Sequence, residues 1–136
     1  MIEEILDFLQ DCPLLENGQI KVDFIGEKAC SYMVSPLPCN PVIKRYTDGA
    51  AMKQYLFAFS SREYLDAYAA QNIENQEFYE RFAKWLDDMT AAKILPRIKA
   101  GTPQSIEAVD RGYLIDDDVK TGMYQIQCKL IYYSNL

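Results

Sequence analysis

The sequence predicts an α+β domain. Its expected parts are a mainly antiparallel sheet of hairpins, an N-terminal helix, and one long amphipathic helix over about 74–93 packed on the sheet. Three observations predict it. The stretch "VIKRYTDGAAMKQYLFAFSSRE" (42–63) reads as two strand arms about a Thr47-Asp48-Gly49 turn. Phe78, Phe82, Trp85, Leu86 and Met89 recur at i, i+4, i+7, i+8 and i+11, the spacing of one helix face. The stretch "MYQIQCKLIYY" (123–133) alternates like a strand. Neighbouring strand signals are joined by turns and do not alternate with helices, which disfavours a parallel βαβ sheet.

Taken in order, Ile2, Ile5, Leu6 and Leu9 predict a helix over about 2–11 that stops at Cys12-Pro13, because the residue before proline avoids helical geometry. Asn17-Gly18 marks a turn. "QIKVDFIG" reads as a strand ending at Gly26, and "ACSYMVSPL" as its hairpin partner. "SPLPCNPV", with Pro36, Pro38 and Pro41, reads as a rigid extended loop. In the second arm of the 42–63 hairpin, Tyr55, Phe57 and Phe59 share one face while Leu56 and Ala58 are apolar on the other, the pattern of a central strand. Residues 64–72 are ambiguous. The main helix is expected from about Glu74, capped by Asn72 or Asn75 and closed by Pro96. "QSIEAVDRGYL" (104–114) reads as one weaker strand, irregular near Gly112, and "IDDDVKTG" as a charged turn.

The chain has 136 residues, the length of a single domain spanning 1–136, with 49% hydrophobic and 25% charged residues. A net charge of −6 argues against a specific nucleic-acid binder, which needs a basic patch to displace counterions. The opening "MIEEILDFLQDC" is acidic and interrupted, unlike a signal peptide, and no apolar run approaches the ~20 residues of a membrane span. No membrane association is expected.

Chemistry is sparse in the residue types. The chain has no histidine, which removes Ser-His and Cys-His pairs, histidine metal sites and the usual near-neutral base. Cys12, Cys30, Cys39 and Cys128 form no CxxC pair, so reduced, mostly buried thiols are expected and no metal. The six glycines assemble no phosphate loop. Asp116-Asp117-Asp118 lacks calcium-loop spacing and reads as a solvated turn; Glu77 and Glu80 read as an acidic helix start. No catalytic residue and no cofactor are expected.

The ten tyrosines are more informative, since tyrosine buries large area, keeps a polar tip and is enriched at interfaces; it also simply suits strands. In 123–133, Tyr124, Ile126, Cys128, Leu130 and Tyr132 form one apolar set. Gln125, Gln127 and Lys129 form the other, until Ile131 and Tyr133 break its polarity. Those two apolar residues on a polar face call for cover, from another chain or from the N-terminal helix.

The succession "CPLL" (12–15), "VDFIG" (22–26), "NPVIKRYTDGA" (40–50), "KQYLFAFSSRE" (53–63), "FYERFAKWL" (78–86), "LP" (95–96) and "YQIQCKLIYY" (124–133) resembles a family of small phage and prophage tail-assembly proteins of Gram-positive hosts. Its members are often labelled minor capsid protein or tail terminator. The resemblance covers nearly the whole chain, and its motifs are scaffold motifs. It implies an α+β subunit, no catalysis, and self-association as a hexameric ring. Such a ring caps the tail tube, docks the neck or head-completion protein, and lets DNA pass through its lumen without specific binding. It implies assembly in the bacterial cytoplasm and a final place in the virion.

Within that expectation Tyr46, Ile131 and Tyr133 are candidate subunit contacts. Asp48 and Lys53 in one loop region, with Asp116, Asp117, Asp118 and Lys120 in another, are candidates for surfaces facing the lumen, tube or neck. Other readings stay open: a head–tail connector, tail completion or tube protein, a small ligand-binding module, or a bacterial adaptor using its sheet edge.

Overall fold

A computed structural model describes residues 1–15, 20–22, 31–64, 69–117 and 121–135. Among them, two helices and a seven-stranded, mostly antiparallel sheet form the α+β architecture expected: α1 (Ile2–Gln10), β1 (Ile20–Val22), β2 (Ser31–Leu37), β3 (Val42–Arg45), β4 (Ala51–Tyr64), α2 (Ala69–Ala91), β5 (Thr102–Ala108), β6 (Tyr113–Asp117) and β7 (Thr121–Ser134).

The frame is a spine of two strands. β4 and β7, each 14 residues long, pair one-to-one from Ala51 opposite Ser134 to Tyr64 opposite Thr121. At ~3.3 Å per residue the spine runs about 43 Å. Shorter strands tile its flanks. β2 lies beside residues 56–62 of β4 and β3 beside 51–53. On the other flank, β5 lies beside residues 128–133 of β7 and β6 beside 122–125. The far end of β7 is therefore paired on both sides: Tyr133 stands between Met52 and Thr102.

Both helices cover one face of this spine. Phe57 and Phe59 of β4 and Ile126, Cys128 and Leu130 of β7 are wholly buried there, with Ile5 and Leu9 of α1 and Phe82 and Leu86 of α2. The helices also meet each other, the Phe8 and Trp85 rings lying 5.2 Å apart. Phe82 stacks on Phe59 at 4.6 Å. Tyr79 is sealed beneath α2, where it donates to the Tyr124 carbonyl at 3.2 Å and accepts from the Ser61 hydroxyl at 2.5 Å. Buried polar groups are thus hydrogen-bonded, as burial requires. Thr90 clasps the end of α2 to β5: its hydroxyl donates to the Ile106 carbonyl at 2.7 Å and accepts from the Ile106 N–H at 3.0 Å.

Several sequence expectations change. "ACSYMVSPL" is not a hairpin partner of the preceding strand, because β1 pairs β2 in parallel, Ile20 opposite Tyr32. The first strand's expected end at Gly26 lies outside the described residues. β2 continues through Pro36 to Leu37, into the stretch read as a loop. Among the described residues β1 flanks only Tyr32–Val34, so Pro36 has no described outer neighbour that would call for its missing donor.

α2 starts five residues before Glu74, at Ala69, so neither asparagine caps it, and Asn75 is buried inside the helix. It ends at Ala91, before Pro96, through left-handed Lys93 (φ 61°) and a bond from the Ile94 N–H to the Met89 carbonyl at 2.9 Å. "QSIEAVDRGYL" is two strands, β5 and β6, and part of the "IDDD" turn belongs to β6. Between them the Asp110 carboxylate accepts from the Gln127 N–H at 2.9 Å, so a side chain replaces a ladder bond where the strand breaks.

Candidate functional site

The face of the sheet opposite the helices carries the alternate set of each strand. All along β7 this set is only half-buried: Met123, Gln125, Gln127, Lys129, Ile131 and Tyr133. α1 therefore does not cover Ile131 and Tyr133; it packs on the other side.

The face divides in two. Toward the Tyr64/Thr121 end it is polar and internally bonded. The Ser60 hydroxyl donates to the Gln125 side-chain oxygen at 3.3 Å, and the Gln125 amide donates to the Tyr113 hydroxyl at 3.3 Å. Near the middle, Lys129 pairs with Glu107 at 3.3 Å. Toward the Ala51/Ser134 end it turns apolar and aromatic. Tyr133 stands opposite Met52, Ile131 opposite Gln54, and Leu56 opposite Lys129. The Tyr46 ring lies 6.1 Å from that of Tyr133, with the Lys44 ammonium 5.4 Å from the Tyr46 centroid, a cation–π contact.

The β3–β4 turn holds Tyr46 in place. Its N–H donates to the Ala50 carbonyl at 2.9 Å, and its carbonyl accepts from Gly49 at 3.1 Å. The Asp48 carboxylate accepts from the Ala50 N–H at 3.0 Å. Gly49 has φ 91°, a conformation in which a side chain would be strained.

Thus the fold gathers Tyr46, Ile131 and Tyr133 on one half-face. Asp48 is at the turn tip beside them, but Lys53 stands opposite buried Tyr132 and so belongs to the helix-covered face. Asp116 and Asp117 are elsewhere, opposite Met123 and Gly122 near the other end of the spine. Asp118 and Lys120 lie outside the described residues. The two candidate loop regions are therefore far apart and form no single surface.

One feature escaped the sequence reading. Tyr113, Leu114 and Ile115 of β6 are 38%, 43% and 39% exposed, three consecutive large apolar residues on an edge strand. The adjoining aspartates were the available signal, since a charged run beside an apolar one marks a protected edge.

The cleft of about 540 Å³ between α2 and residues 110–112 is walled by Glu80, Lys84, Asp87, Asp110 and Arg111 around a floor of Tyr79, Gly112 and Ile126. No group of three potential metal ligands occurs among the described residues. Burial raises the pKa of the Cys12, Cys128, Tyr79 and Tyr132 side chains. Of these, Cys128 is wholly buried in the core, and Tyr79 is nearly so at the floor of the cleft. Cys39 is exposed, unlike Cys12 and Cys128, and Cys30 lies outside the described residues.

A scan against protein-family models gives no match, and a search of curated proteins gives none either. No helix among the described residues is long and apolar enough to cross a membrane.

Proposed function

We propose that this chain is a non-enzymatic phage structural subunit, a tail terminator that assembles as a ring, caps the tail tube and offers the docking surface for the neck. The observation that carries the reading is the half-face of Tyr46, Ile131 and Tyr133, aromatic and apolar on a sheet whose other face already has its helices. A patch of that composition, with tyrosine at its centre and lysine at its rim, suits protein contact. The net charge of −6 suits a ring through which DNA moves, because few cations hold its phosphates. Partners on this reading are further copies of the chain, a tail-tube protein and a neck protein. Its place is the host cytoplasm during assembly and then the virion.

Negative-stain electron microscopy of the purified protein, alone and with tail tubes, tests the proposal. Rings of uniform diameter, or caps on tube ends, are expected. Spontaneous long tubes would make the chain a tube subunit, and particles that form neither rings nor caps would remove the assembly role.

A further inference from the structure

We propose that the cleft between the end of α2 and the start of β5 binds a small phosphorylated molecule, with Lys93 and Arg97 holding its phosphate. The cleft lies apart from the aromatic half-face and does not depend on the assembly reading above.

Residues 92–101 link α2 to β5, which begins at Thr102. Both ends of the link are pinned. At one end the Thr90 hydroxyl exchanges hydrogen bonds with the backbone of Ile106. At the other the Lys99 N–H donates to the Glu4 carboxylate of α1 at 2.8 Å. Between link and strand lies a cleft of about 590 Å³, a volume that suits a small molecule.

The lining combines two chemistries. Leu95, Ile98 and Pro103 supply an apolar wall and are only half-buried. Lys93, Arg97, Thr102 and Gln104 supply exposed hydrogen-bond donors. No carboxylate lines the cleft among the described residues, although the chain has 20 acidic residues against 14 basic ones.

Neither cation is engaged. Lys84 and Lys129 pair with Asp88 and Glu107, but no described carboxylate pairs with the Lys93 ammonium or the Arg97 guanidinium. Arg97 also borders a groove against α1 that carries Glu4, Asp7 and Asp11, and it pairs with none of them. Lys93 holds a left-handed backbone (φ 61°), where glycine is unstrained and a residue with a side chain is not. The bond from the Ile94 N–H to the Met89 carbonyl fixes it there. Residues held in such sparsely populated conformations cluster at ligand sites, which points to a task for this ammonium.

Two uncompensated cations match a doubly charged anion. A guanidinium presents a planar fork that takes phosphate oxygens in pairs, and an ammonium adds a point charge. The Gln104 amide donates to the Thr102 carbonyl at 3.3 Å, which leaves its second hydrogen and the Thr102 hydroxyl for the ligand. The apolar wall meets the carbon body that carries the phosphate. A nucleic-acid backbone fits less well, because it spreads single charges along a track and calls for a row of cations.

Isothermal titration calorimetry of the whole chain with phenyl phosphate tests this at about pH 8, where the monoester is doubly charged. Saturable binding that weakens with salt is expected. Inorganic phosphate, which lacks the ring, and benzoate, which carries one charge, should each bind at least about tenfold more weakly. Arg97→Gln and Lys93→Gly should each weaken phenyl phosphate binding roughly tenfold or more. Lys93→Gly should unfold close to the wild-type midpoint, because relief of the left-handed strain offsets glycine's greater freedom in the unfolded chain. Its loss of binding is then not misfolding.

No saturable binding, or unchanged affinity in either variant, would overturn the proposal. So would inorganic phosphate or benzoate binding as tightly as phenyl phosphate. A duplex oligonucleotide that displaces phenyl phosphate at lower concentration would make the cleft a DNA-backbone contact and overturn it too. None of these results bears on ring formation, which microscopy decides separately.

Discussion

Tyr132 and Tyr133 are neighbours in one strand, yet they belong to different environments. Tyr132 is 9% exposed and joins the core formed by both helices. Tyr133 faces the uncovered side and contacts Tyr46. The same split runs along all of β7, whose helix-side residues are buried and whose alternates are half-buried. A strand's two faces can thus carry separate tasks. One face carries the helix-covered core, and the other keeps Ile131 and Tyr133 only half-buried.

The largest expected effects lie on the helix-covered face. Phe82→Ala removes a wholly buried ring stacked between Phe59 and Phe78 and should cost about 3–5 kcal/mol of stability, measured by denaturant unfolding. A loss below ~1 kcal/mol would mean the α2–sheet contact is looser than described. Gly112→Ala comes next. A methyl group there would overlap the Tyr79 ring, so the loop or the ring must shift. Overpacking of this kind costs about 1–3 kcal/mol. Should Gly112→Ala unfold at the wild-type midpoint, Tyr79 cannot be fixed by its bonds to Ser61 and Tyr124.

A third prediction concerns pH. Burial raises the pKa of the Cys128 thiol, so the folded state keeps it neutral while the unfolded chain ionises near pH ~8.5. Above that pH the unfolded state binds fewer protons than the folded one, so stability falls as pH rises. The slope is up to about 1.4 kcal/mol per pH unit for each such group. Tyr79 adds the same effect from about pH 10. Cys128→Ala should flatten the decline between about pH 8.5 and 10. An unchanged slope would place its origin in other groups.

Much of this core was legible in the sequence because period and chemistry agree there. The Phe78, Phe82, Leu86 spacing and the Tyr124-to-Tyr132 alternation are local signals, and each survives in the fold. What was not legible is set by distant partners. "QIKV" and "SYMV" carry no mark of parallel rather than hairpin pairing, because direction is decided by where the intervening chain goes. β5 and β6 separate where the Asp110 side chain takes over a ladder bond to Gln127, a contact 17 residues away. The main helix's N-terminal extension to Ala69 lacks the stripe that marks its later turns.

For the candidate site, Ile131 and Tyr133 stood out by breaking an alternation, and Tyr46 by composition. Their meeting on one half-face depends on the β4 register, which no local pattern states. Lys53, grouped with Asp48 as a loop residue, lies within β4 opposite Tyr132 for the same reason. The β6 edge was overlooked because its apolar residues read as ordinary strand content until their exposure was known.

The smallest effect on stability should come from the open face, and there the contrast can be made sharpest. Tyr133→Asp removes a half-buried ring but leaves the backbone pairing of its strand intact, and its cross-strand neighbours are Met52 and Thr102. Losing an aromatic cross-strand contact costs roughly 0.2–1 kcal/mol, so the monomer should unfold close to the wild-type midpoint. Association should instead be lost, because a carboxylate placed among Tyr46, Ile131 and Met52 would have to be desolvated at a protein contact. Tyr132→Asp, one residue away, should do the reverse and fail at folding, since its ring belongs to the core. If both variants destabilise the monomer equally, the two faces are not functionally distinct. If Tyr133→Asp assembles like wild type, the aromatic half-face serves the monomer alone.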